Sequence, residues 1–216
     1  TTVSAMTIRI LPDYIINKLK AGEIVERPAS ICKELIENAL DAHASHIVLS
    51  VNGWGKDRIQ LDDDGVGIAQ DDIPLVLTRY ATSKIQDEDD LYALSSYGFR
   101  WEALASIAEV SQVTLISKTN TDTVATKLSN AGWAISMIPT TVAGIQWTTI
   151  IIENLFYNTP VRQKFLKSSQ TEYFYCYDMF LGYALMHWDK HWAFYKDSKL
   201  IYDLPACPDF LERFRQ

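Results

Sequence analysis

Glu34, Asn38 and Asp41 follow one another at intervals of four and three residues, the spacing that sets side chains on one side of an α-helix. A carboxylate and a carboxamide then point into one space. Glu34 can orient or deprotonate a water, and Asn38 offers a neutral oxygen to a hard cation such as magnesium, which accepts few protein ligands and fills its shell with water and phosphate. A solvated helix face carries the same letters, and this helix taken alone favours that plainer reading. A second group follows in Asp63-Asp64-Gly65-Val66-Gly67. Its glycines let backbone come close to a planar ligand, and Asp63 can accept from an exocyclic amine such as that of adenine. Alone the string is weak, because Asp-Gly pairs are mostly turns. It lacks the ligand spacing of an EF-hand, and no Walker-type Gly-Lys-Ser/Thr occurs in the chain, so a phosphate cradle must come from elsewhere.

Two segments can supply one. Gly98-Phe99-Arg100 followed by Glu102-Ala103-Leu104 reads as a glycine-bearing loop opening a helix, where free N–H groups and the dipole favour phosphate. Thr82, Ser83 and Lys84 add hydroxyl and ammonium donors. Structural caps have the same composition. His187 and His191 are four apart, but the intervening Trp188-Asp189-Lys190 is not the metalloprotease pattern and no further ligand accompanies them, which argues against a metal there.

The elements that must position these groups are legible in part. Arg27-Pro28 precedes a helix with Ile31, Cys32, Leu35, Ile36, Ala39 and Leu40 at helical spacing, running to about Ala44. Ile47 to Val51 and Arg58 to Leu61 are short strands around Asn52-Gly53-Trp54-Gly55, a hairpin whose second strand runs into the Asp63 loop. Residues 71–104 read as interrupted helix able to cover a ligand. Val110 to Lys118, Thr123 to Leu128 and Thr148 to Ile152 have the β-branched content of strands, and a helix is predicted from Val161 after Thr159-Pro160. Together these predict an α/β sandwich.

Composition sets the class. The 216 residues suffice for one substantial domain, and 48% apolar with 22% charged residues is ordinary for a soluble globular chain. No apolar run is long enough to span a bilayer and no secretory start is evident, so a cytoplasmic setting in a bacterial cytosol or nucleoid is expected. Cys32, Cys176 and Cys207 are scattered and odd in number, which predicts reduced packing residues. A net charge of −7 speaks against a chain that coats nucleic acid along its whole surface.

These pieces, in this order, resemble the MutL family of GHKL ATPases. The resemblance runs through Ile10-Leu11-Pro12, Ala21-Gly22-Glu23-Ile24-Val25-Glu26-Arg27-Pro28, Lys33-Glu34-Leu35-Ile36-Glu37-Asn38-Ala39-Leu40-Asp41-Ala42, Ala81-Thr82-Ser83-Lys84-Ile85, Gly98-Phe99-Arg100 and Leu155-Phe156-Tyr157-Asn158-Thr159-Pro160. It implies a Bergerat-type two-layer α/β sandwich, a mixed sheet with helices on one face, spanning residues 6–204, with 205–216 opening a connection to a second subdomain. It implies ATP and magnesium as cofactors: Glu34 activates the attacking water, Asn38 holds the metal, and Asp63 anchors adenine beside Gly65 and Gly67. Asp41 and Ala42 complete the helix side. Thr82, Ser83, Lys84 and the segment Gly98, Phe99, Arg100, Glu102, Ala103, Leu104 form the lid, while Thr148 supports the adenine-side wall. ATP-driven closure and self-dimerisation, a DNA-facing patch around Arg162, Lys164 and Lys167, and a mismatch-recognition partner protein in DNA mismatch repair are implied as well. So is a lysine from the second subdomain on the γ-phosphate, without which hydrolysis is slow.

The chain departs from the family where it is expected to matter. Trp101 and Trp147 stand at glycine positions in the lid and beside Thr148, and Trp54 and Trp133 fall in turns where glycine is ordinary. Taken literally, the bulk predicts impaired nucleotide binding and a hydrolysis-deficient interaction module. The low glycine count, 9, beside 6 tryptophans fits a second reading, a gene using UGA for glycine and translated as tryptophan. UGG at codons 54, 101 and 147 would exclude it.

Overall fold

The computed structural model describes residues 12, 21, 24–78, 101–131, 134–140 and 147–216. The first helix, α1 (Pro28–Asp41), carries proline at its start, where the missing N–H costs nothing. It buries Ile31, Cys32, Leu35, Ile36 and Ala39, the apolar stripe predicted from spacing. The helix stops at Asp41 rather than Ala44 because His43 turns left-handed, φ 58°. His43 N–H donates to Leu40 O and Ala44 N–H to Ala39 O, both at 3.0 Å, and Ala44 is fully buried under the end, a Schellman closure.

Eight strands follow the order β5-β4-β3-β6-β2-β1-β7-β8. They are β1 (His46–Asn52), β2 (Arg58–Asp63), β3 (Gln112–Lys118), β4 (Ala125–Ala131), β5 (Ala134–Thr140), β6 (Trp147–Glu153), β7 (His191–Lys196) and β8 (Lys199–Leu204). All neighbours are antiparallel except β1 and β7. The mixed sheet with helices agrees with the predicted fold class, and its register fixes the core. Ile59, Ile152 and Val113 form one cross-strand row, and Leu61, Ile150 and Leu115 the next, all buried. Such rows bring side chains of adjacent strands together on one face.

The helices α2 (Trp101–Val110), α3 (Pro160–Phe165), α4 (Ser169–Met186) and α5 (Phe210–Arg215) complete the chain. Phe180 of α4 stacks on Phe194 with ring centres 4.9 Å apart and meets Trp192 edge-on at 5.9 Å. The segment 205–216 is docked onto the domain: Arg213 is 2% exposed, and its Nη2 donates to Trp188 O and Lys190 O at 3.1 and 2.6 Å.

The turn between β1 and β2 contains Trp54 at φ 64°, flanked by Gly53 at 54° and Gly55 at 82°. An L-residue held left-handed costs about 1–2 kcal/mol. Trp54 offsets part of this by packing edge-on against Tyr173 at 5.7 Å and by taking the Lys196 ammonium over its ring at 3.9 Å. Trp54→Gly is therefore expected to melt above Trp54→Ala by a few degrees, since both lose the indole but only glycine relieves the backbone. Equal melting temperatures in a thermal scan would refute the account.

Candidate functional site

The C-terminal end of α1 is stitched to the loop after β2. Val66 N–H donates to Ala42 O at 2.9 Å, and a Cβ on Gly65 would lie 2.7 Å from both Ala42 Cβ and Ala42 O. Gly67, at φ 74°, would place a Cβ 2.0 Å from Lys118 O. Neither position accepts a side chain, so the loop lies close against α1 on one side and β3 on the other. Asp64, read as part of the binding string, is structural: its Oδ1 accepts from Ser45 N–H and His46 N–H at 2.6 and 2.7 Å, fixing the entry to β1.

Asp63 ends β2 on the helix-covered face. It continues the apolar rows with a polar one, because Asp63 pairs in register with Thr148 and Thr148 with Ser117. All three are buried, at 6, 5 and 0% exposure. Asp63 Oδ1 accepts from Gly65 N–H at 2.9 Å. Burial pushes the carboxyl up to about 7, opposed by that N–H bond and reinforced by the charges of Asp64 and Asp62. Ser117 Oγ accepts from Ile68 N–H at 2.9 Å and lies 2.8 Å from Thr148 Oγ1. Of the residues singled out in the sequence, Asp63 and Thr148 fall in this row; Ser117 was not among them, and a polar residue at a core-facing position of a strand was its one signal.

On α1, Asn38, Asp41 and Ala42 run toward this loop. The Asn38 side-chain nitrogen is buried and has no hydrogen-bond partner among the described residues. An unpartnered N–H donor fits a ligand that brings acceptor oxygens such as those of phosphate, and the amide oxygen is the atom that can meet a cation. Glu34 lies one turn back. It borders a cleft of about 740 Å³ between α1 and α4, with Ser30, Lys33, Met179 and Tyr183 also in its wall. Neither Asp63 nor Thr148 lines that cleft.

Trp101, Glu102, Ala103 and Leu104 open the described span of α2, Trp101–Val110. Ala103 and Leu104 bury their side chains in the core, at 5 and 1% exposure, so they can offer a ligand backbone alone. Thr82, Ser83, Lys84, Gly98, Phe99, Arg100 and Trp133 lie outside the described residues, as do the side chains of Trp101, Glu102 and Trp147. Lys164 and Lys167 are exposed and Arg162 half-buried around α3. His191 Nε2 meets Asp203 Oδ1 at 2.6 Å while His187 stacks on Tyr183, and among the described residues no group of three or more His, Cys, Asp or Glu is placed to hold a metal. No helix among them is long and apolar enough to cross a membrane.

Known proteins resemble this chain in sequence and in fold. The profile of the histidine kinase-, DNA gyrase B- and HSP90-like ATPase family matches residues 26–143, more than half of the chain. The DNA mismatch repair protein MutL of Thermotoga maritima is 39% identical over 208 residues, covering 96% of this chain and 41% of that protein. MutL of Pelodictyon phaeoclathratiforme is 44% identical over 203 residues, 94% of this chain and 32% of its own length. The chain thus spans about two fifths or less of these relatives. In fold it is similar to the Aquifex aeolicus MutL ATPase domain complexed with ADP, TM-score 0.71 at 24% identity over 89% of this chain and 68% of that one. It is similar also to the N-terminal domain of a DNA repair protein, TM-score 0.76 at 24% identity over 92 and 58% of the two chains. With the buried Asp63 row, the α1 carboxamide and these likenesses together, the chain belongs to the histidine kinase-, DNA gyrase B- and HSP90-like ATPase family, as a MutL-like N-terminal region.

Proposed function

We propose that the chain binds ATP with magnesium and hydrolyses it, as the nucleotide-switched N-terminal region of a DNA mismatch repair protein. The observation that carries this is the buried polar row of Asp63, Thr148 and Ser117 closing the apolar rows of the sheet, together with the Asn38 side-chain nitrogen, which is unpartnered among the described residues. Asp63 accepts from the adenine amine, and Gly65 and Gly67 let the backbone lie along the base. The first N–H groups of α2, with Thr82, Ser83, Lys84, Gly98, Phe99 and Arg100, take the phosphates. Asn38 would hold magnesium, with Asp41 beside it; the ion supplies positive charge against the phosphates. Glu34 draws a proton from the attacking water. In the longer protein, nucleotide binding closes the lid and drives self-dimerisation, the Arg162, Lys164 and Lys167 surface meets DNA, and a mismatch-recognition protein engages the closed form, all within the cytosol.

Trp101 opens α2 and Trp147 opens β6, next to Thr148. Calorimetric titration of Mg·ATP into this chain and into its Trp101→Gly, Trp147→Gly variant therefore tests both site and departure. Tighter binding by the glycine variant is the expected result; binding by neither would overturn the site assignment, and equal binding by both would clear the tryptophans of blame.

A further inference from the structure

Ser117 is fully buried, and its hydroxyl has two neighbours: the Ile68 N–H, which donates to it at 2.9 Å, and Thr148 Oγ1 at 2.8 Å. A serine hydroxyl carries one hydrogen and two lone pairs. The Ile68 N–H occupies one lone pair, and among the described residues Thr148 is the one acceptor in reach of the Ser117 hydrogen. A buried hydroxyl hydrogen left unbonded costs about 1–3 kcal/mol. Either hydroxyl can donate to the other; with Ser117 as the donor, the Thr148 hydrogen is released to point onward. Thr148 stands directly across from Asp63 in the strand register, so in that orientation its hydrogen and the Asp63 carboxylate are presented side by side.

We propose that Ser117 is a positioning residue for base selection, which fixes the Thr148 hydroxyl as a donor next to the Asp63 acceptor. The pair then offers one acceptor and one donor to the edge of the bound base, directly or through a water. This rests on the nucleotide reading above and deepens it. An adenine edge, with its amine donor beside a ring-nitrogen acceptor, complements the pair; a guanine edge, with an oxygen acceptor beside an N–H donor, opposes it at both points. The same hydroxyl holds Ile68, tying base selection to the Gly65 to Gly67 loop that lies against Ala42 of the helix bearing Asn38.

The test is calorimetric titration with Mg·ATP and Mg·GTP in the background that binds Mg·ATP, the chain itself or its Trp101→Gly, Trp147→Gly variant. Ser117→Ala is expected to weaken ATP binding about tenfold and to shrink the ATP-over-GTP preference by a similar factor, within the range of one buried hydrogen bond. Ser117→Thr, which keeps the hydroxyl, restores the preference. In a Thr148→Val background Ser117→Ala leaves the ATP-to-GTP ratio unchanged, a result that a general loosening of the fold would not give. A preference within twofold of the parent in Ser117→Ala, with ATP still bound, overturns the proposal alone. Failure of both parents to bind any adenine nucleotide overturns the nucleotide reading and this inference with it.

Discussion

Asp63→Asn is expected to reduce ATP affinity by roughly 100-fold or more, the loss of a charge-assisted hydrogen bond and the exposure of the adenine amine to an opposing N–H donor. The carboxylate is 6% exposed with one oxygen engaged by Gly65 N–H, which leaves the other for the base. The same burial makes the interaction pH-dependent. With its carboxyl raised to about 7, Asp63 must shed a proton before it accepts from adenine. ATP affinity of the parent therefore falls toward tenfold per unit as pH drops below about 7, and binding near neutrality releases a proton. Titrations in buffers of different ionisation enthalpy read that proton directly. A pH-independent affinity, or one that Asp63→Asn leaves intact, would sink the assignment.

The stability of the unliganded chain moves the opposite way. A carboxyl whose folded pKa lies above its ordinary value of 3.8 favours the fold while protonated. That contribution is complete below about pH 4 and is lost as pH rises through about 7, roughly 4 kcal/mol in all for a shift of this size. Asp63→Asn carries no such penalty, so above neutral pH it is expected to unfold at higher denaturant than the parent while binding ATP far less. A functional carboxylate held in an unfavourable place gives that pairing of outcomes; a structural one would give a variant both weaker in binding and less stable.

Glu34→Ala is expected to leave ATP binding within a few-fold of the parent and to lower single-turnover hydrolysis by roughly 100- to 10,000-fold, the range of a positioned general base. Glu34 lies one helical turn from Asn38 and borders the cleft beside α4, whose wall does not include Asp63; the proposed role gives it the attacking water and not the base. Radiolabelled ATP with protein in excess separates the two quantities. Lost binding with unchanged hydrolysis of whatever binds would move Glu34 out of the catalytic role and make it a structural member of α1.

Much of this site is visible before any fold is known. Local spacing gives Glu34, Asn38 and Asp41 a common helical side, and the Asp-Gly-Val-Gly string marks a loop, because both depend on neighbours a few residues away. The strands β1, β2, β3 and β6 are legible for the same reason, as alternating or β-branched runs. By contrast α4 is apolar on nearly every side, with Phe174, Tyr175 and Met186 exposed while Tyr173, Cys176 and Phe180 are buried, so no amphipathic period announces it. The left-handed Trp54 is legible only as a residue in a turn where glycine is ordinary, since positive φ is a property of the turn between Gly53 and Gly55 and not of the indole.

What the sequence determines by itself is therefore the inventory: the family-like helix, the acidic glycine loop, and the tryptophans at family glycine positions. Tertiary structure alone decides which members act together. Asp63, Thr148 and Ser117 are separated by 54 and 31 residues along the chain, and only the antiparallel register of β2, β6 and β3 aligns them in one buried row. That alignment moves the Asp63 carboxyl up toward neutrality and sets the Ser117 hydroxyl 2.8 Å from that of Thr148. Both are consequences of burial beside particular neighbours, which spacing along a chain does not encode.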